Sequence, residues 1–174
     1  TLTYGAAISV PEKPVKEGYI FRGWDEVPET MPAENIFISA SFVANKYLVT
    51  FKIDDEVIAS DSIEYGASIV VPEAPEKKGH TFAGWGEVDT TVPAHDLIYE
   101  GNYIANTYKV YYYVGEELVH TEKVAYGENI PKYVYKPTID GEIFIGWTGD
   151  TYETMPDADV VYIAEMSVDA ITLL

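Results

Sequence analysis

The sequence predicts a mainly β protein made of small sheet modules in tandem, and three observations carry that prediction. Tyr-Gly recurs at Tyr4-Gly5, Tyr65-Gly66 and Tyr126-Gly127, at steps of 61 residues. The tryptophans Trp24, Trp85 and Trp147 follow at steps of 61 and 62. Between these markers apolar and polar residues alternate, the period of a strand with one face buried. A repeat of this length signals copies of one unit, so the 174 residues divide as 1–46, 47–107 and 108–174.

The second module shows the elements in their order. Tyr47, Val49, Phe51 and Ile53 alternate with Leu48, Thr50 and Lys52, which reads as an opening strand. Asp54-Asp55-Glu56 supplies a polar turn, and Val57 to Tyr65 returns as a second strand ending at Gly66. The third module opens in the same way with Tyr108 to Tyr113 and a turn at Gly115-Glu116-Glu117. After each Tyr-Gly an apolar stretch runs into prolines: Val10-Pro11 to Pro14, Val71-Pro72 to Pro75, and Ile130-Pro131 to Pro137. Proline donates no ladder bond and holds its predecessor extended, so this segment reads as an extended edge or crossover. Ala6-Ala7-Ile8 and Ala67-Ser68-Ile69 still leave room for a turn or two of helix before the prolines.

A glycine-bounded segment follows in every copy: Gly18 to Trp24, Gly79 to Trp85, and Gly141 to Trp147. Its first glycine suits a turn with positive φ, and its second, at Gly23, Gly84 and Gly146, marks a bulge or a close backbone approach. The closing strand alternates throughout, as Ile36, Ile38, Ala40 and Phe42, then Leu97, Tyr99, Gly101 and Tyr103, then Val160, Tyr162, Ala164 and Met166. The third position is always small, and the tryptophan ring is expected to lie there.

The first module lacks a counterpart of the hairpin 47–61. Its loss should expose core and leave an unpaired edge, so either the chain is an internal piece of a longer protein, the preferred reading, or another segment fills the gap. The tail from Ser167, with Ile171, Leu173 and Leu174, fits neither the repeat nor an anchor.

Composition excludes several functions. Eleven basic against 29 acidic residues give a net charge of -18, distributed as -2, -8 and -8 over the three modules. That field repels nucleic acid and anionic lipid, and it keeps a surface array soluble. With no cysteine, neither a disulfide nor a thiolate metal site is available, and no apolar run is long enough to span a bilayer.

The string of Tyr-Gly, prolines, Gly-x-x-Phe-x-Gly-Trp, Met-Pro and a strand ending Ala-x-Phe resembles the Listeria–Bacteroides repeat, the internalin B-repeat type of module. Departures are small: His80 and Glu142 stand where Tyr19 is aromatic, Val92 replaces Met31, and the third copy has an extra residue on each side of Trp147. The resemblance implies a β-grasp-like sheet unit, α+β at most. It also implies a secreted or surface-attached bacterial protein in which such units form an elongated array between other domains of a longer parent chain.

No residue set points to catalysis. His80, His95 and His120 occupy unrelated repeat positions and read as solvent-facing variable residues; no Gly-x-Ser-x-Gly, His-Glu-x-x-His or phosphate loop occurs. Asp54-Asp55-Glu56 and Asp157-Ala158-Asp159 cluster oxygens without a known calcium-loop pattern, so they read as solvated turns rather than metal sites. Trp24, Trp85 and Trp147, with Phe21, Phe82 and Phe144, are assigned to the module cores rather than to a sugar-stacking face. No cofactor is expected. The function expected is a non-enzymatic spacer on the cell surface, the alternative an adhesion module for a host protein or glycan.

Overall fold

The computed structural model describes residues 1–149 and 151–168; Ile171, Leu173 and Leu174 lie outside the described residues. Ten strands form, and no helix occurs among the described residues: β1 Tyr19–Trp24, β2 Ala40–Ala44, β3 Lys46–Ile53, β4 Glu56–Glu64, β5 His80–Gly84, β6 Leu97–Ala105, β7 Thr107–Val114, β8 Glu117–Ala125, β9 Glu142–Gly149 and β10 Val160–Val168. They build two four-stranded mixed sheets, β4-β3-β6-β5 and β8-β7-β10-β9, and a two-stranded sheet β1-β2. Within each larger sheet the hairpin and the closing pair are antiparallel, and a parallel pair joins them, β3 with β6 or β7 with β10.

The turn of helix left open before the prolines does not form. There the backbone bonds across to the segment preceding the closing strand. Ile8 N donates to Glu29 O and Met31 N to Ala6 O, and the same ladder recurs at Ala67–Val92 and Glu128–Met155. Isolated bridges Ala7–Thr30, Ser68–Thr91 and Asn129–Thr154 mark this contact in all three modules.

The second glycine of each motif is a bulge, as its place in a strand pattern predicts. Pairing steps from Phe21 to Gly23, from Phe82 to Gly84, and from Phe144 to Gly146 against one residue fewer on the partner strand. The skipped residue swings outward and the tryptophan side of the strand is re-aimed. Trp24 pairs with Ala40 and Trp147 with Ala164, so in those two modules the small residue does stand opposite the indole.

The chain divides into two compact units, one of Thr1–Ala74 with Trp85–Gly101, the other of Pro75–Gly84 with the chain from Asn102 onward. The repeat borders at 46/47 and 107/108 therefore do not coincide with the unit border, which cuts β6 between Gly101 and Asn102. In the first unit the core comprises Val49, Phe51, Ile53, Trp85, Val92 and Tyr99. In the second it is Val110, Tyr112, Val124, Met155 and Val160. Val49, Phe51 and Ile53 of β3 and Val110 and Tyr112 of β7, alternate residues of their strands, enter these cores, which is the pleat read directly from sequence.

Residues 1–46 do not close a sheet of their own. In the second module Leu97 to Gly101 pair in parallel with Val49 to Ile53. Among the described residues no such partner stands beside Ile36 to Ser39, and the strand expected from Ile36 begins only at Ala40. Phe37 is 95% exposed and Met31 half-buried, whereas Met155, its counterpart, is 1% exposed. No residue of 1–46 belongs to the buried hydrophobic core.

Candidate functional site

Two arrangements stand out: a joint between consecutive modules, made twice, and an aromatic pocket confined to the third module. The joint starts from the prolines, which deliver the chain to a turn at Gly18 and again at Gly79. These glycines hold φ of +74° and +69°, a left-handed conformation costly for other residues. The turn closes with Tyr19 N donating to Lys16 O at 3.1 Å and His80 N to Lys77 O at 3.0 Å. The ring of Tyr65 lies directly on Gly18, and that of Tyr126 on Gly79; a Cβ at either glycine would overlap ring atoms Cγ, Cδ1 and Cδ2.

Backbone bonds fix the contact. Asn45 N donates to Gly18 O and Tyr65 N to Asn45 O, each at 2.8 Å; Asn106 N donates to Gly79 O and Tyr126 N to Asn106 O, again at 2.8 Å. The residue after the glycine offers its ring edge-on, Tyr19 to Tyr65 at 5.5 Å and 74°, His80 to Tyr126 at 5.5 Å and 77°. Asn45 Nδ2 then donates to the Tyr47 hydroxyl and Asn106 Nδ2 to that of Tyr108, both at 3.3 Å. Each joint lies wholly within one compact unit. The sequence carried a signal for it, the strict spacing of Tyr-Gly, but not the information that Tyr and Gly of different copies meet.

The pocket, of about 590 Å³, is lined by rings of Tyr112, Tyr133, Trp147, Tyr152 and Tyr162, with Lys132 and Glu153 among its polar residues. Tyr112 stacks on Tyr162 at 5.2 Å and meets Trp147 edge-on at 5.1 Å. Tyr133 lies parallel to His120, 4.3 Å and 6° apart. The second module has no counterpart of Tyr133, since Val71 to Pro75 carries no aromatic residue. Burial pushes the Tyr112 phenol up to about 12, with the neighbouring Tyr162 adding to it.

Beside the pocket, one buried polar side-chain atom is unmatched among the described residues. In the second module Trp85 Nε1 donates to Pro72 O at 2.9 Å. In the third, Phe51 is replaced by Tyr112, whose hydroxyl takes the Pro131 carbonyl at 3.4 Å. Trp147 Nε1 is buried without a partner among the described residues. A buried donor left so costs on the order of 1–3 kcal/mol.

Among the residues assigned to cores, Trp85 is 7% exposed, while Trp24, Trp147, Phe21, Phe82 and Phe144 are half-buried. Phe21 meets Trp24 edge-on and Phe144 meets Trp147 in the same way, both at 5.5 Å, and Phe82 packs on Tyr103 at 5.5 Å. Trp147 is thus both a core residue and a pocket wall. Only His95 faces solvent as expected of all three histidines. His80 and His120 are half-buried because aromatic neighbours, Tyr126 and Tyr133, stand against their rings.

No group of acidic and histidine residues suited to a metal occurs among the described residues. Asp157 accepts the Tyr108 hydroxyl, and Asp159 Oδ1 accepts Lys109 N at 2.8 Å. Asp96 Oδ1 accepts Leu48 N at 2.8 Å in the same repeat position. These carboxylates tie down the start of β3 and β7. No helix of the described residues is long and apolar enough to cross a membrane.

A family model of the Listeria–Bacteroides repeat domain matches residues 1–38, 47–96 and 108–169. A protein of Evansella cellulosilytica named as a membrane protein is 30% identical over 86% of this chain and 27% of its own length. Internalin H of Listeria monocytogenes is 37% identical over 52% of this chain and 18% of its own length. The chain thus spans about a quarter or less of the curated relatives it matches. It belongs to the Listeria–Bacteroides repeat family.

Proposed function

We propose that this member of the family is a non-enzymatic structural segment of a bacterial cell-envelope protein, whose modules space a neighbouring domain from its attachment. The observation that carries this reading is the joint: two consecutive copies of it have the same ring seat and the same paired backbone bonds. A flexible linker would show neither. Load passing from one module to the next would meet the amide bonds of Asn45 and Tyr65, then those of Asn106 and Tyr126.

Amide hydrogen exchange on the chain tests it. A spacer with stiff joints protects the Tyr65 and Tyr126 amides as strongly as the strands beside them. Exchange at the rate of an open linker removes the reading.

The aromatic pocket favours a second reading, adhesion to a glycan. Sugar rings present apolar faces that stack on tyrosine and tryptophan, with rim polar groups to take their hydroxyls. A screen of glycans and extracellular matrix proteins, with Tyr133→Ala as the control, decides it. Binding that survives Tyr133→Ala, or no binding at all, rules out the pocket as an adhesion site.

A further inference from the structure

The third module differs from the second on the sheet face turned away from its core. Tyr111 and Tyr113 alternate with the buried Val110 and Tyr112, so they share the outer face, their ring centres 6.5 Å apart. In the second module Lys52 and Glu100 stand opposite each other on the parallel strands and form a salt bridge of 2.9 Å. At that place the third module has Tyr113 opposite Ile163, an apolar pair with Ile163 46% exposed. The residue swung out at the bulge, Arg22 in the first copy and Ala83 in the second, is Ile145, 58% exposed.

These exchanges turn a polar face into an apolar one, and all of it lies in one compact unit. The joints between modules do not cover such a face. They are made at Gly18 and Gly79, and on the outer face of the second module Val57 and Ile98 stay 57% and 64% exposed.

Charges sit at its two ends. Lys109 and Lys123 pair across β7 and β8 at one end, with Lys109 Nζ 6.0 Å from the centre of the Tyr111 ring. Glu165 is exposed on the same face of β10 at the other end, beyond Ile163. Lys109 precedes Val110, the partner of Val160, so it lies roughly 20 Å along the strands from Glu165.

We propose that this face pairs with itself: the third-module sheets of two copies pack face to face about a two-fold axis. The axis crosses the strands at the level of Tyr112 and Tyr162, which stand opposite each other. Strands of the two copies then run antiparallel, Tyr111 of each copy meets Tyr113 of the other, and Lys109 reaches Glu165 of the other. An axis along the strands would set lysine on lysine, so charge selects the arrangement. The occupant is a second copy because the face complements itself when reversed, apolar at its middle and oppositely charged at its ends. Four strands about 4.8 Å apart and about 20 Å long offer roughly 400–500 Å² per copy, about 1,000 Å² for the pair, the lower bound of a specific interface. A net charge of -18 also makes copies repel, so the pairing is weak, with a Kd on the order of 100 μM. It stands or falls separately from the spacer role, which rests on the joints.

Sedimentation velocity of the chain at rising concentration tests it, in about 0.15 M and about 0.5 M salt. Self-association should appear near about 100 μM and strengthen with salt, which screens the net repulsion. Tyr113→Lys with Ile163→Glu copies the pair of the second module, so the fold accepts it, as circular dichroism checks, and association should vanish. Lys109→Glu should weaken association about threefold to tenfold. Glu165→Lys should weaken it too, although it lowers the net repulsion. The two changes together return the net charge to -18 and should restore it. These positions are too far apart to pair within one chain, so the rescue reports a contact between copies. It leaves the apolar centre untouched and decides the matter even where the first variant unfolds. A chain that stays monomeric to about 1 mM overturns the proposal. Association unchanged by Tyr113→Lys with Ile163→Glu, which would place the contact on another face, also overturns it, as does a charge exchange without rescue.

Discussion

Trp85 and Trp24 occupy the same repeat position in different surroundings, and replacing each by alanine turns that difference into a measurement. Trp85 is 7% exposed, meets Phe51 edge-on at 5.2 Å and 73°, and donates to Pro72 O. Deleting a buried ring costs about 3–5 kcal/mol in transfer and cavity terms. Of this, the aromatic pair accounts for about 0.5–1.5 kcal/mol and the hydrogen bond for about 1 kcal/mol. Trp85→Phe keeps one six-membered ring but loses the N–H and the second ring of the indole, so its cost should lie between the roughly 1 kcal/mol of the hydrogen bond and the cost of Trp85→Ala. Trp24 has its Phe21 edge contact but is half-buried, and with less area returned to water Trp24→Ala should cost about half as much as Trp85→Ala. Modules of one chain need not unfold together, so residue-resolved amide exchange in rising urea is the appropriate assay. Equal losses for Trp24→Ala and Trp85→Ala would refute the claim that the deeper burial of Trp85 sets its cost. So would a Trp85→Ala loss below about 1 kcal/mol.

Gly79→Val and Gly141→Val impose the same left-handed strain, about 1–2 kcal/mol, but among the described residues a ring covers Gly79 and none covers Gly141. Gly79→Val should therefore be the more destabilising and should deprotect the Tyr126 amide, read by amide exchange. Asp96→Ala removes the acceptor of Leu48 N and should cost about 1 kcal/mol in urea unfolding, localised to the start of β3. The raised Tyr112 phenol makes stability pH-dependent. The unfolded chain loses this proton near pH 10 while the folded chain holds it to about 12, so stability is intact below pH 10 and falls between 10 and 12. That loss should be on the order of 1–2 kcal/mol, and Tyr112→Phe should flatten the slope in alkaline thermal melts.

Much of the fold was legible in the chain because it is encoded in short-range pattern. Alternation at Tyr47, Val49, Phe51 and Ile53 places β3 and its inward face without reference to any other segment. Gly23, Gly84 and Gly146 interrupt strand patterns and so announce bulges. Tyr-Gly and tryptophan spacing reveal the repeat. Each of these follows from backbone sterics and side-chain alternation over a few residues.

Only the tertiary structure decided what depends on segments far apart. β2 is shortened to Ala40–Ala44 because a parallel strand needs its neighbour, and alternation at Ile36 and Ile38 does not supply one. Exchanging Phe51 for Tyr112 adds a single hydroxyl, which bonds the Pro131 carbonyl, while Trp147 Nε1 is buried without a partner among the described residues beside a pocket walled by Tyr133. Tyr65 on Gly18 and Tyr126 on Gly79 look in sequence like marks of separate copies. They become joints because strand pairing brings the end of one module under the corner of the next, a closeness that no local pattern encodes.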